Sequence, residues 1–253
     1  MEATAQAAGD RAGIVEYQPG DLTVIAEAAM TLSALREVLA EHGQRLSLDP
    51  PGDPTLGECL LADLSGPLRH RYGTMRDLIL GVSVVLPDGL RAHSGGKVVK
   101  NVAGYDFGKL FCGSRGRFGS VERLALRLHP LPAAARTLVT GAERWGELHR
   151  SQVVASAVDI AGGRLHVLLE GSQRAVDAQA EAFGGEEAAG EGTWEELRAL
   201  QAALPGRRRW LGTAPDEAPL VRPGPAVAYT PEPAEVIFSP LAERVAEALW
   251  ARS

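Results

Sequence analysis

The stretch Gly95-Gly96-Lys97-Val98-Val99-Lys100-Asn101-Val102-Ala103-Gly104-Tyr105-Asp106-Phe107-Gly108-Lys109-Leu110-Phe111-Cys112-Gly113-Ser114-Arg115-Gly116-Arg117-Phe118-Gly119 decides how this chain is read. Glycine recurs through it. Val98, Val99, Phe107, Leu110 and Phe111 are set among the glycines, so the stretch is neither a linker nor low-complexity sequence. Glycine serves a loop in two ways. It supplies left-handed backbone conformations, and it lets backbone approach a neighbour where a Cβ would intrude. A loop that needs only turns also draws on Asn, Asp and Pro. The ordinary dinucleotide fingerprint is G-x-G-x-x-G between a strand and a helix. Here the spacing is Gly113-x-x-Gly116-x-x-Gly119, and a strand pattern follows instead of a helix. Two readings stand side by side: loop conformation alone, and backbone lying against a cofactor.

The rest of the chain narrows the class. Its 253 residues, 45% of them hydrophobic, suffice for one large or two modest folded units. A net charge of -6 argues against a general nucleic-acid binder, which needs clustered cations. The compact basic run Arg207-Arg208-Arg209 beside Trp210 reads as a solvated turn. Cys59 and Cys112 give neither a zinc spacing nor a disulfide framework, so a reducing compartment is expected. The Ala-rich start lacks the basic and apolar regions of a signal peptide, and no apolar run approaches a membrane span. A cytoplasmic location is expected, with no direct membrane insertion; docking on a membrane-bound partner stays open.

Outward from the glycine stretch, the pattern mixes strands and helices without a regular βαβ period, which gives an α+β class. Gly13–Tyr17 and Leu22–Glu27 read as strands around the turn Pro19-Gly20-Asp21. Thr31 caps a helix over Leu32–His42, and Thr55 caps a shorter one over Leu56–Leu64. Asp88-Gly89 joins Leu80–Leu86 and Leu90–His93 as a hairpin. Ser120–His129 reads as a strand whose imperfect alternation suggests a bulge. Beyond Pro132, Leu165–Glu170 is a strand, and Gln173–Phe183 and Thr193–Leu204 are helices, with Ser172 and Thr193 as candidate caps. The acidic segment Gly184–Gly192 is expected to be flexible and exposed. Pro240–Trp250 reads as a terminal amphipathic helix behind Ser239.

Pro54-Thr55-Leu56-Gly57, Leu64-Ser65-Gly66-Pro67, Arg76-Asp77-Leu78-Ile79-Leu80-Gly81 and Lys100-Asn101-Val102-Ala103-Gly104-Tyr105-Asp106 follow one another in this order. Gly113-Ser114-x-Gly116-x-Phe118-Gly119 comes after them. This series resembles the PCMH-type FAD-binding domain of the vanillyl-alcohol-oxidase-like flavoproteins. Within that superfamily it is most similar to the FAD-binding E subunits of bacterial glycolate oxidases. The resemblance covers Gly13 to about Pro132 and is loose beyond it. It implies residues 13–132 as the FAD-binding domain, shortened by most of the family's first β-α-β segment. Residues 133–253 would form a smaller α+β cap-like region, and residues 1–12 a poorly ordered start.

The resemblance also implies site residues. Thr55, Leu56 and Gly57 would lie by the FAD pyrophosphate, where the start of a helix also suits an anion. Ser65, Gly66, Tyr72, Gly73 and Asp77 would line the flavin or ribityl side. Gly104 and Tyr105 would close over the cofactor, Gly113, Ser114, Gly116 and Gly119 would supply adjoining backbone, and Val121 would sit near the adenine or ring edge. Glu58 departs from the family's second glycine and would repel a diphosphate unless it points away. Arg115 and Arg117 are a second departure, either compensating a missing phosphate loop or solvated. No catalytic side chain is singled out and no metal site is expected, since the six histidines lack a ligand spacing. The implied activity is oxidation of a small 2-hydroxy acid by an FAD-binding subunit. Its implied partners are a catalytic flavoprotein subunit and an iron–sulfur subunit, because two cysteines cannot hold a cluster here. The alternative is a non-catalytic scaffold subunit with weak or no FAD binding.

Overall fold

The computed structural model describes residues 13–95, 107–188, 190–209 and 218–233, together with 243, 244, 246, 247, 249 and 251. The expected poorly ordered stretch 1–12 lies outside the described residues, as do Gly104, Tyr105, Ser239 and Pro240.

Local signals set the first half. Strands β1 (Ile14–Gln18) and β2 (Thr23–Glu27) are joined by one 3-10 turn, Pro19–Asp21, and Leu22 closes it at φ 54. Helix α1 (Leu32–Ala40) starts where Thr31 accepts the Ala34 N–H on its hydroxyl, and it buries Leu32, Leu35 and Leu39. A two-residue strand β3 (Gln44–Arg45) follows, then the short helices α2 (Leu56–Leu61), α3 (Arg69–Tyr72) and α4 (Met75–Leu78). Strands β4 (Ile79–Val85) and β5 (Arg91–Gly95) flank the Asp88-Gly89 turn. Helix α5 (Phe107–Phe111), strand β6 (Ser120–Arg127) and the short β7 (His129–Pro130) complete this half. The strands order as β1-β2-β6-β4-β5 in one antiparallel sheet, with β3 and β7 paired apart. The expected bulge is real. Opposite β4, the pairing of β6 steps from Arg123 to Val121 and leaves Glu122 out of register.

The second half begins at strand β8 (Ala134–Gly141), followed by α6 (Trp145–Arg150), β9 (Ala155–Ala161) and β10 (Arg164–Gly171). Then come α7 (Gln173–Phe183), β11 (Glu186–Glu187), α8 (Glu191–Ala202), β12 (Gly206–Arg209), β13 (Leu220–Arg222) and β14 (Val227–Thr230). They form a separate seven-stranded sheet, β11-β8-β10-β9-β13-β14-β12. Ser172 caps α7 as expected, accepting the Ala175 N–H.

Three expectations change here. Helix α8 begins at Glu191 behind Gly190, so Thr193 lies inside it and caps nothing. The backbone of Arg207–Arg209 is strand β12 and not a turn, because it pairs with β14. The acidic segment is exposed at Glu186 and Glu187, yet these residues pair with β8 as a short edge strand. The C-terminal segment also departs from the expected 133–253 grouping. Its described residues 243, 244, 246, 247 and 249 are helical, and Ala246 and Leu249 pack into the first half's core. Ala246 and Leu249 find their cover there, and Glu243 is held by Arg117 at 2.7 Å.

The apolar clusters respect the division into two sheets. One cluster spans Ile14 to Leu128 and adds Ala246; two others lie within Leu138–Phe183 and Ala157–Tyr229. The seam between the sheets is crossed mainly by polar side chains. Arg45 forks onto Glu170 with two 2.6 Å bonds, Arg71 reaches Ser156 at 3.4 Å, and Gln201 donates to the Ser65 carbonyl at 2.8 Å.

Candidate functional site

The start of α2 is the first place the sequence points to for an anion. Thr55 and Glu58 close a capping box: the Thr55 hydroxyl accepts the Glu58 N–H, and the Glu58 carboxylate accepts the Thr55 N–H at 2.8 Å. That bond also holds the Glu58 carboxyl below its usual range. The Leu56 N–H goes to the Met30 carbonyl and the Gly57 N–H to the Ala28 carbonyl. All four amides are therefore spent inside the protein. Glu58 neither points away nor faces a ligand; it takes the place of one. Leu56 is fully buried, and a Cβ on Gly57 would stand 3.1 Å from the Ala28 carbonyl oxygen. Packing on β2 and its loop accounts for both residues.

A second set of expected residues does converge. Gly73, Asp77 and Gly113 line a cleft of about 690 Å³ with Asp63, Arg69, Thr74, Arg76, Cys112, Arg207, Pro225 and Val227. Gly73 ends α3 at φ +80, where a Cβ would strike the Asp77 carboxylate. Asp77 belongs to a second capping box, accepting the Thr74 N–H at 2.8 Å. Arg69 donates to the Ser65 hydroxyl at 3.1 Å. Arg207 crosses from the second sheet to the Asp63 carbonyl at 2.6 Å and its carboxylate at 3.2 Å, so it is a paired cation although it stays exposed. Cys112 donates to Asp63 at 3.4 Å, and burial pushes its thiol up to about 12. It stays protonated at neutral pH and is no nucleophile. The cleft holds three guanidiniums against the carboxylates of Asp63 and Asp77 and suits an anionic ligand group.

The remaining expected residues lie elsewhere. Ser65 is buried, between Arg69 and Gln201. Gly66 is pressed on Asp49, where a Cβ would sit 1.7 Å from the carbonyl oxygen. Tyr72 belongs to the seam: its hydroxyl accepts from Arg45 at 3.1 Å, and its ring lies 4.7 Å from His129 and under Arg45 and Arg71. Val121 pairs with Val84 across the sheet and packs on the first core. Ser114 lies beside the cleft, and its buried hydroxyl has no hydrogen-bond partner among the described residues.

The glycines of the opening stretch can now be assigned. Gly113, Gly116 and Gly119 have φ of +75, +79 and +125. A Cβ on Gly119 would lie 2.1 Å from the Val85 carbonyl oxygen. The Gly113 and Arg115 amides donate to the Leu60 and Leu61 carbonyls at the end of α2. Loop conformation and close packing on the chain itself account for Gly116 and Gly119, and Gly113 adds a wall of the cleft.

Sequence reasoning did not single out Arg69, Arg76 or Asp63, and it took Arg207 as part of a solvated turn. Arg76 was in view within the Arg76–Gly81 motif, whereas Arg207 joins Asp63 across 144 positions that no local pattern links.

Comparison with known proteins adds the family context. Residues 9–95 match the family described as "FAD binding domain". The chain is 33% identical over 223 residues to glycolate oxidase subunit GlcE of Escherichia coli, covering 83% of this chain and 63% of that subunit. It is 32% identical over 126 residues to a mitochondrial D-lactate dehydrogenase [cytochrome] of Saccharomyces cerevisiae, covering 50% of this chain and 22% of that enzyme. Glycolate oxidase subunit GlcD of Bacillus subtilis is 34% identical over 133 residues, covering 50% of this chain and 27% of that subunit. The chain thus spans less than two thirds of these relatives. In fold it is similar to alkyldihydroxyacetonephosphate synthase, with a TM-score of 0.62 at 16% identity, over 75% of this chain and 44% of that one. This likeness shows a shared fold, and the family match over residues 9–95 indicates FAD as the cofactor. Among the described residues no helix is long and apolar enough to cross a membrane.

Proposed function

We propose that this chain, a PCMH-type relative of the glycolate oxidase E subunit, is the FAD-binding subunit of a complex that oxidises a small 2-hydroxy acid. The similarity to GlcE over 223 residues carries this reading, and relatives named for glycolate and D-lactate support the substrate class. When bound, FAD supplies the two-electron oxidation. The chain's own residues bind and orient it at the arginine-lined cleft. Gly73 and Gly113 contribute backbone to that wall. A partner subunit would receive the electrons. A catalytic flavoprotein subunit and an iron–sulfur subunit complete the complex, which sits in the cytoplasm.

The test is purification of the chain alone and with partner subunits, followed by denaturation and flavin fluorescence of the supernatant. Released FAD, together with glycolate- or D-lactate-dependent dye reduction by the complex, is expected. Colourless preparations in both forms would sink the proposal. They would favour a second reading, a scaffold subunit with weak or no FAD. The spent amides of α2 are the observation on that side.

A further inference from the structure

We infer that Arg76 is the residue of the cleft that holds the diphosphate of FAD, an inference that rests on the flavin reading above. The three guanidiniums there are differently engaged. Arg207 is bound to the carbonyl and carboxylate of Asp63, and Arg69 to Ser65. The guanidinium of Arg76 makes one hydrogen bond among the described residues, from Nη1 to the Lys109 carbonyl at 3.4 Å, which is long. No described carboxylate stands within 4.0 Å of it, while its neighbour Asp77 is turned back onto Thr74.

The carboxylates that share the cleft are thus occupied, and the planar donor fork of Arg76 is left for an anion. The geometry around it suits a bulky anion, since Gly73 and Gly113 contribute backbone to the same wall. The alternative phosphate seat, the start of α2, has no amide left to give. A diphosphate offers several oxygens at the spacing a guanidinium fork reads.

The experiment is equilibrium titration of the full chain with FAD and with riboflavin, which lacks phosphate. R76Q is expected to lose about tenfold to a hundredfold in FAD affinity, the worth of one charge-assisted contact. Riboflavin should bind R76Q as it binds the parent, and the melting temperature without flavin should not move. R76K keeps the charge and loses the fork, so its FAD affinity should fall between the two. If R76Q does not fold, R76K decides, and equality with the parent overturns the assignment. Unchanged FAD affinity in R76Q overturns it. So does an equal loss for riboflavin, which would make Arg76 structural. A raised KM for the 2-hydroxy acid with FAD binding intact also overturns it, giving Arg76 to the substrate carboxylate. A parent chain that holds no flavin, alone or in complex, fails the function itself; an indifferent R76Q beside a flavin-bound parent fails only this inference.

Discussion

In the first half the largest side chains sealed from solvent are apolar: Phe111, Met75 and leucines such as Leu32, Leu35, Leu39, Leu56, Leu60, Leu124 and Leu126. In the second, the largest fully buried side chain is Arg222. Its fork meets Asp159 at 2.9 and 3.2 Å, and its third arm donates to the Tyr229 hydroxyl at 2.6 Å. The two halves therefore fix their geometry by different means. The first relies on backbone pressed against backbone, as at Gly57, Gly66 and Gly119, with leucines filling what is left. The second ties β9, β13 and β14 together through one directed ion pair. Such a pair is poor at adding stability over an apolar filling, but costly to break from one side.

That asymmetry gives the largest expected effect. Arg222→Met leaves the Asp159 carboxylate buried and unpaired, and a loss of about 3–5 kcal/mol in denaturant unfolding is expected. Asp159→Leu combined with Arg222→Met should recover much of it, since both charges then leave. A loss under about 1 kcal/mol in the single variant would erase the contrast between the halves.

The matching blow to the first half is Gly66→Ala. The added Cβ would overlap the Asp49 carbonyl oxygen, and backbone cannot swing aside as a side chain can. A destabilisation of about 1–3 kcal/mol or more is expected from such overpacking. Gly192→Ala in α8 is the control, because nothing lies within 4 Å and its φ is ordinary. That change should be neutral or stabilising by up to about 1 kcal/mol.

Asp49 lies at the seam and sharpens the comparison through pH. Burial pushes its carboxyl up to about 7, with Arg222, the Leu68 N–H and Arg198 pulling the other way. The folded state thus holds a proton that the unfolded chain releases near its ordinary value of 3.8. Stability from this group is fully present below about pH 4 and declines as pH rises towards 7. His70, His129 and His166, all lowered by burial, act in the opposite sense, so the parent curve alone does not isolate Asp49. The difference between the parent and Asp49→Asn does. Melting from pH 4 to 8 should show the parent losing ground to the variant as pH rises; parallel curves would refute the shift.

The smallest effect belongs to a cap. Thr55→Ala removes the hydroxyl that accepts the Glu58 N–H, at a cost of about 1 kcal/mol by thermal unfolding. A much larger cost would mean that α2 carries more of the first core than its six residues suggest.

What the sequence made legible was local. Thr31, Thr55 and Ser172 cap the helices they were expected to cap, and Asp88-Gly89 turns its hairpin. The bulge in β6 also followed from its broken alternation. Local chemistry misled where two cues competed. Thr193 looked like a cap, but the helix had already begun at Glu191. Thr55 was read as the mouth of an anion site because an amide's partner is invisible in a string. The carbonyls of Met30 and Ala28 that take the next two amides come from a loop folded back over them. Arg222 and Asp159 are 63 positions apart and sit in strands of unremarked composition. Only the sheet order makes them neighbours.

The polar seam has a consequence for how the two halves answer to salt. Its more open pair, Arg207–Asp63, is the one that dissolved ions reach first, since screening acts over about 8 Å at physiological ionic strength. Arg45–Glu170, with side chains 15% and 7% exposed, is sheltered and yields last. The three apolar clusters are not weakened by the same ions, and sulfate strengthens apolar burial. Raising ionic strength therefore loosens the join while leaving each core intact, with Arg45–Glu170 the last of its ion pairs to yield.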